Sequence, residues 1–324
     1  MKQLLSFSLM LFFFIACGSD KTSNSDEDKD LGTQIERPIT LADPFILLDG
    51  NKYYAYGTMS EDGIVCFESE DLKNWTQIVQ NNGLALHKDN SYGDKWFWAP
   101  EVYKVSDGRY AMAYSAEEHI CIAFASSPRG PFLQQEKKPM FEEKGIDNHI
   151  FQDEDGQKYI YFCRFTNGNE IWVAKLNDDY VIDISTLASC IHAEDPWETK
   201  MDKVTEGPFV AKHNGKYIMT YSANHYKSQD YAVGYAVSDS PMGPWVKSEN
   251  NPFLHRLDIL VGTGHHSLFV DKSGNPRIVF HSHNSDRGID PRIMHISSYE
   301  IEGDENPIMK VNQKYFTPTT LSDD

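Results

Sequence analysis

The chain has 324 residues, of which 48 are Asp or Glu and 30 are Lys or Arg, for a formal net charge of −18. That balance leaves no basic footprint for DNA or RNA, and it repels acidic polysaccharides unless a local basic patch meets them; neutral sugars are not disfavoured. Hydrophobic residues at 40% and aromatics at 13% suit a strand-rich globular domain rather than a disordered or fibrous chain.

The first element is a targeting segment. Lys2 precedes an apolar run from Leu4 to Ala16, too short to span a bilayer as a mature helix, and the run ends in Phe14-Ile15-Ala16-Cys17. This resembles a bacterial lipoprotein signal, in which residues 1–16 are removed and Cys17 becomes the lipidated first residue. Residues 17–36 follow as an acidic flexible tether. The expected location is the outer membrane, facing the periplasm or the cell surface, with the lipid on Cys17 as the sole membrane contact and no protein partner implied.

From residue 37 a repeat begins. Five times a short apolar stretch runs into a glycine followed by an aromatic-rich strand: ADPFILLDG-NKYYAYGT (42–58), APEVYKVSDG-RYAMAYSA (99–116), DNHIFQDEDG-QKYIYFCR (147–164), EGPFVAKHNG-KYIMTYSA (206–223) and HHSLFVDKSG-NPRIVFHS (265–282). The marker glycines Gly50, Gly108, Gly156, Gly215 and Gly274 lie 58, 48, 59 and 59 residues apart. Each repeat continues into a third strand-like element, such as GIVCFESEDLKNW (63–75) or YAVGYAVSDSPMGPW (231–245). Two strands either side of a Gly turn, repeated at this period, predict an all-β five-bladed β-propeller forming a single domain over 37–320. No amphipathic helix of three turns is evident. Residues 181–204 form the longest irregular stretch, expected as a rim loop. To close the ring, either KYFTPTT (314–320) or the segment before Asp43 adds an outer strand. Cys66, Cys121, Cys163 and Cys190 fit no zinc spacing and are expected as packing residues.

In a propeller the innermost strands line the axis, so equivalent positions converge. The first strands begin with Asp43, Glu101, Asp147, Glu206 and His265, which predicts a cluster of ionisable groups at one mouth. Asp43 precedes Pro44, which favours an extended strand entrance. Glu206 is followed by Gly207-Pro208, a close and rigid passage beside a carboxylate. Asp147 stands nine residues before its marker glycine, as Glu206 does before its own. Two carboxylates flanking a sugar bond supply an acid and a base or nucleophile for glycoside hydrolysis, and a third tunes their pKa values. His265 faces the axis either as a satisfied core histidine or as a contact to a hydrated cation; no dense Asp/Asn loop accompanies it. Trp98 offers a flat face at the mouth for a sugar ring, or packs with Trp96 and Phe97. Arg292 is placed to bond sugar hydroxyls or to hold a carboxylate ionised.

The motifs ADPFI, WAPEV, IDNHIFQDEDG, EGPFVAKHNGKY, GTGHHS and FHSHNSDRGIDPR, in this order, resemble glycoside hydrolase family 43, five-bladed propeller enzymes acting on arabinose- and xylose-containing glycans. The resemblance spans residues 37–310. It implies an inverting mechanism with Asp43 as general base, Glu206 as general acid and Asp147 as the residue that raises and orients the acid. It assigns Trp98 to a subsite wall and Arg292 to the bound sugar; Phe45 and Tyr221 join them as expected substrate-binding residues. His265 matches a histidine that in many members faces an axial metal ion, often calcium, although the chemistry requires no cofactor. One departure is Asn148-His149 after Asp147, where Pro-Ser or Pro-Ala is commoner. The expected activity is exo-acting release of terminal α-L-arabinofuranose or β-D-xylose from plant polysaccharides. The competing expectations are a cell-surface glycan-binding propeller without catalysis and, more remotely, a protein-interaction propeller.

Overall fold

Gly50, Gly108, Gly156, Gly215 and Gly274 all have φ between 58° and 88°. A Cβ at any of them would meet nothing within 4 Å, so the left-handed backbone alone calls for glycine. Around these turns the computed structural model, which describes residues 35–322, places the paired strands 42–49 and 52–58, 98–104 and 110–116, 145–152 and 158–165, 205–213 and 216–223, and 264–270 and 276–282. Each pair adds a third strand, at 63–69, 119–125, 169–176, 232–238 and 293–302. Among the described residues five sheets result, numbered here 1 to 5 in chain order. Sheets 3, 4 and 5 have four strands each, sheet 2 has three, and sheet 1 has seven because 35–38 and 319–322 join it and 84–87 pairs with 63–69.

Apolar side chains from neighbouring sheets fill the space between them. Phe45 and Cys66 of sheet 1 pack with Val102 and Met112 of sheet 2; Ile120 of sheet 2 packs with Ile160 of sheet 3. Tyr161 of sheet 3 meets Val210 of sheet 4, and Val233 of sheet 4 meets Leu268 of sheet 5. The circle closes where Phe269 and Val279 of sheet 5 pack against Ile46 and Val65 of sheet 1. Sheets packed face to face around a common axis form a β-propeller, and burying a large apolar side chain in such an interface contributes roughly 1.5–3 kcal/mol.

Both candidate closing segments take part. Thr319–Ser322 runs parallel to Asn74–Gln77 of sheet 1 and antiparallel to Ile35–Pro38. Ile35 and Glu36, expected in the tether, are therefore strand, because their backbone pairs with Ser322 and Leu321. The signal peptide and the tether up to residue 34 lie outside the described residues. Residues 181–204 also differ from expectation: Ile182–Ile191 is the fourth strand of sheet 3. Two register shifts against 169–176 break its period-two alternation, which hides the strand in the sequence. Only 192–204 remains a loop. Among the described residues the helical elements are short 3-10 turns at Gln80–Gly83 and Lys88–Asn90, and no helix is long and apolar enough to cross a membrane. The four cysteines of this part are free; Cys66, Cys121 and Cys163 are buried, and burial pushes their thiols up, as inert packing residues require.

Candidate active site

Every inner strand slips register against its neighbour at the same place. Ala42 pairs with Thr58 but Phe45 with Tyr56; Trp98 with Ser115 but Glu101 with Ala113. The same slip follows Ile146, Glu206 and Gly264. Each β-bulge leaves two residues unpaired: Asp43-Pro44, Ala99-Pro100, Asp147-Asn148, Gly207-Pro208 and His265-His266. The first of each pair has φ of 49°, 43°, 58°, 54° and 41°. Asp and His tolerate this left-handed conformation better than most residues and Gly adopts it freely, so the bulge selects short polar side chains at the axis. The strain is held by the preceding sheet. The backbone N–H donates to Thr58 Oγ1 from Ala99 (3.1 Å), to Ser115 Oγ from Asp147 (3.0 Å), to Ser222 Oγ from His265 (2.8 Å) and to His281 Nδ1 from Asp43 (3.1 Å).

The bulge corrects the frame expected from the marker glycines. Asp43, Asp147 and His265 are equivalent, but the counterpart of Asp147 in sheet 4 is Gly207, and Glu206 stands one residue earlier. Glycine counting misplaces it because the hairpin turns differ in length. Glu101 lies immediately after the bulge, further down the axis. There it pairs with His149 Nδ1 at 2.8 Å and accepts from the Tyr103 hydroxyl, so it does not meet the other carboxylates.

Asp43, Asp147, Glu206 and His265 share one cleft of about 410 Å3 with Trp98 and Arg292, a size suited to a small ligand. Asp43 is buried, which by itself would raise its carboxyl. Arg292 Nη1 at 2.9 Å, His265 Nδ1 at 3.4 Å and His281 outweigh burial and hold it well below the usual carboxylate range. The reverse holds for the other two. Burial pushes Glu206 up against the charge of His265 and against hydrogen bonds from the Tyr231 hydroxyl (2.8 Å to Oε1) and Asn169 Nδ2 (3.0 Å to Oε2). Burial likewise raises Asp147; His265, 3.9 Å away, opposes this, and the charges of Glu206 and Asp43 reinforce it. Burial disfavours the charge of His265, but Asp43, Asp147 and Glu206 together raise its pKa above the ordinary imidazole value. One cleft therefore holds a firmly ionised carboxylate and two that favour a proton.

Trp98 lies half-buried in the cleft and stacks on Trp96 with centroids 5.7 Å apart, while Phe97 between them turns into the core. The Arg292 guanidinium lies over the Tyr226 ring at 5.2 Å. Two expected substrate contacts do not reach the cleft. Phe45, immediately after its bulge, packs against Tyr103 (centroids 6.1 Å apart) between sheets 1 and 2. Tyr221 alternates with the axial Ser222 and so points between sheets 3 and 4, where its hydroxyl donates to Glu198 Oε1 at 2.7 Å. Sequence reasoning missed Tyr231, Asn169 and His281. Asn169 sits in a turn-like TNGNE and Tyr231 at the start of an apolar strand, so neither carries a local signal. His281 is legible only once the bulge register is known.

His265, the expected contact to an axial calcium ion, is engaged by Asp43 at 3.4 Å and lies 3.9 Å from Asp147, and among the described residues no three His, Cys, Asp or Glu side chains are arranged to hold a metal. No step below runs through a metal ion.

A propeller mouth with one carboxylate held low and two pushed up supplies the base and the acid that glycoside hydrolysis uses. The chain matches the model of glycosyl hydrolases family 43 over residues 35–307 and belongs to that family. Among solved structures, an endo-1,4-beta-xylanase from Bacteroides thetaiotaomicron is similar at 45% identity with a TM-score of 0.85, covering 90% of this chain and 100% of that one. A thermostable family-43 glycoside hydrolase follows at 35% identity and a TM-score of 0.77, covering 90% and 97%. A beta-xylosidase from Xylanibacter ruminicola is 25% identical over 284 residues, 70% of this chain and 83% of its own. A beta-D-galactofuranosidase from Aspergillus niger is 26% identical over 269 residues, 75% and 74%.

Proposed function

We propose that this enzyme is an inverting, exo-acting glycosidase that releases terminal α-L-arabinofuranose or β-D-xylose from plant polysaccharides, with the five sheets as five blades around its pocket. The observation that carries the reading is the opposed surroundings of Asp43 and Glu206 within one cleft, the first against Arg292 and the second buried beside Tyr231 and Asn169. The relatives named for xylan, xylosides and arabinofuranosides support the pentose assignment.

Glu206 is the general acid. Asn169 can only donate, so it keeps Oε2 as an acceptor; the Tyr231 hydroxyl can donate to or accept from Oε1 and so accommodates both protonation states. Asp147 acts on Glu206 through its charge and keeps the acid's proton in place. As the glycosidic bond lengthens, Glu206 gives its proton to the leaving oxygen, and water attacks the anomeric carbon from the opposite face. Asp43 takes the water's proton. A carboxylate of low pKa suffices here because the attacking water becomes strongly acidic as its oxygen bonds to carbon. Inversion calls for the acid and base carboxyls roughly 6.5–9.5 Å apart, leaving room for that water. Arg292 orients both Asp43 and sugar hydroxyls, and Trp98 presents its ring face to a pyranose or furanose.

The test compares the purified protein with its Glu206→Gln variant on 4-nitrophenyl α-L-arabinofuranoside and β-D-xyloside, with NMR of the first-formed anomer. Release by the wild type alone, with inverted configuration, is expected. Sugar binding without turnover on any pentoside or galactofuranoside would instead make the protein a glycan-binding propeller. The Phe14–Cys17 sequence supports lipidation at Cys17 and an outer-membrane location; a Cys17→Ala chain that stayed in the membrane fraction would refute this.

A further inference from the structure

Three of the five bulges carry proline in second place: Pro44, Pro100 and Pro208. Proline brings neither an N–H nor a polar side chain to the axis. The other two bulges carry Asn148 and His266, which are 2% and 3% exposed. All five second-place residues, together with Asp43 and Asp147, line a small axial cavity with a volume of about 10 Å3, close to the room one water needs. Both non-proline positions in its lining carry buried polar atoms without a protein partner: Nδ2 and Oδ1 of Asn148 and Nδ1 of His266.

His266 Nε2 lies 2.6 Å from the Thr220 hydroxyl, which also reaches the Phe209 carbonyl at 3.2 Å. The other ring nitrogen, Nδ1, has no protein partner, and the Asn148 amide offers both an acceptor and a donor. Buried polar groups in native proteins are almost always satisfied, and proline at the same place in three sheets shows that the fold does not demand polarity there.

We propose that this cavity binds one water molecule, which hydrogen-bonds His266 Nδ1 and the side-chain amide of Asn148 across the axis. A hard cation is the wrong occupant. The three prolines contribute no side-chain oxygen, and the carboxylates that also border the cavity are engaged elsewhere: Glu101 by His149 and Tyr103, Asp43 by Arg292 and His265, and Asp147 by His265. Water needs only two to four polar partners, which these residues supply. The bound water links the residue after Asp147 to the residue after His265. It thereby ties together the two strands whose charged groups stand 3.9 Å apart, a role independent of which sugar the enzyme cleaves.

The test is a high-resolution crystal structure of the wild-type protein from two preparations, one dialysed against EDTA and one supplied with calcium chloride, together with thermal melting of both. A single density peak roughly 2.6–3.2 Å from His266 Nδ1 and from an Asn148 side-chain atom, the same in both crystals, with equal melting temperatures, is the expected result. An empty cavity would overturn the proposal. So would a peak with six or more ligands at roughly 2.3–2.6 Å, or a calcium-dependent rise in melting temperature accompanied by such a peak.

Discussion

Replacing Arg292 by Met removes the nearest cation from Asp43 while keeping much of the side-chain volume. The pair stands 2.9 Å apart. At an effective dielectric of about 20 Coulomb's law puts the attraction near 6 kcal/mol, and even fully water-like screening leaves about 1.4 kcal/mol. The lower figure corresponds to about one pH unit. The Asp43 carboxyl is depressed in the folded enzyme, so its ionised form persists above that low pKa and is lost as pH falls through it. In the Arg292→Met enzyme the acidic limb of kcat/KM should therefore move up by at least about one unit. The assay is a pH profile on an aryl pentoside, with intrinsic fluorescence confirming that the fold survives at each pH. Because the guanidinium also faces the sugar, kcat/KM should fall at every pH; Arg292→Lys separates the effects by keeping the charge, and so the low limb, while losing the paired hydrogen bonds. An acidic limb in Arg292→Met that coincides with the wild type would refute the assignment of Asp43 as the ionised base held by Arg292.

Glu206 and Asp147 lie on the other side of the profile. Their pKa values are raised, so the acid should hold its proton on the acidic side and activity should fall as pH rises through them. Asp147→Asn removes a like charge from Glu206, and the basic limb should move to lower pH with a reduced kcat; a limb that stayed in place would show that Asp147 does not tune the acid. Tyr231→Phe removes a hydrogen bond to the Glu206 carboxylate, so the acid should hold its proton to higher pH; one hydrogen bond is worth about 1 kcal/mol, which limits the shift to under about one unit. Glu198, fully buried, accepts from Lys247, Tyr221 and the backbone of Glu194 and Asp195. Glu198→Ala leaves Lys247 with the His192 carbonyl and, at 3.5 Å, Glu194, and removes the acceptor of Tyr221 and of two backbone N–H groups; it should cost about 3 kcal/mol, lowering the melting temperature by roughly 5–10 °C for a domain of this size, which calorimetry would show.

Much of the architecture is local chemistry and was readable before any coordinates. The marker glycines announce left-handed turns, the apolar and aromatic runs announce strands, and their period announces a propeller. The candidate residues Asp43, Asp147, Glu206, His265, Trp98 and Arg292 were likewise found along the chain, and the fold brings all six to one cleft. Phe45 and Tyr221 were not separable from them by sequence, because an aromatic residue on a strand looks the same whether it faces the axis or the neighbouring sheet.

What only tertiary structure decided is register and electrostatics. The bulge that turns Asp43, Asp147 and His265 to the axis, and sets Glu206 one step aside and Glu101 below, is a pairing of strands that sequence spacing does not encode, since hairpin turns of different length shift the count. The protonation of the three carboxylates depends on distances across sheets: Arg292 reaches Asp43 from 249 residues away along the chain, and Tyr231 and Asn169 reach Glu206 from other strands. Residue type is a property of the chain and can be read there. Field and burial are properties of the neighbours, and those exist only once the sheets have closed around the axis.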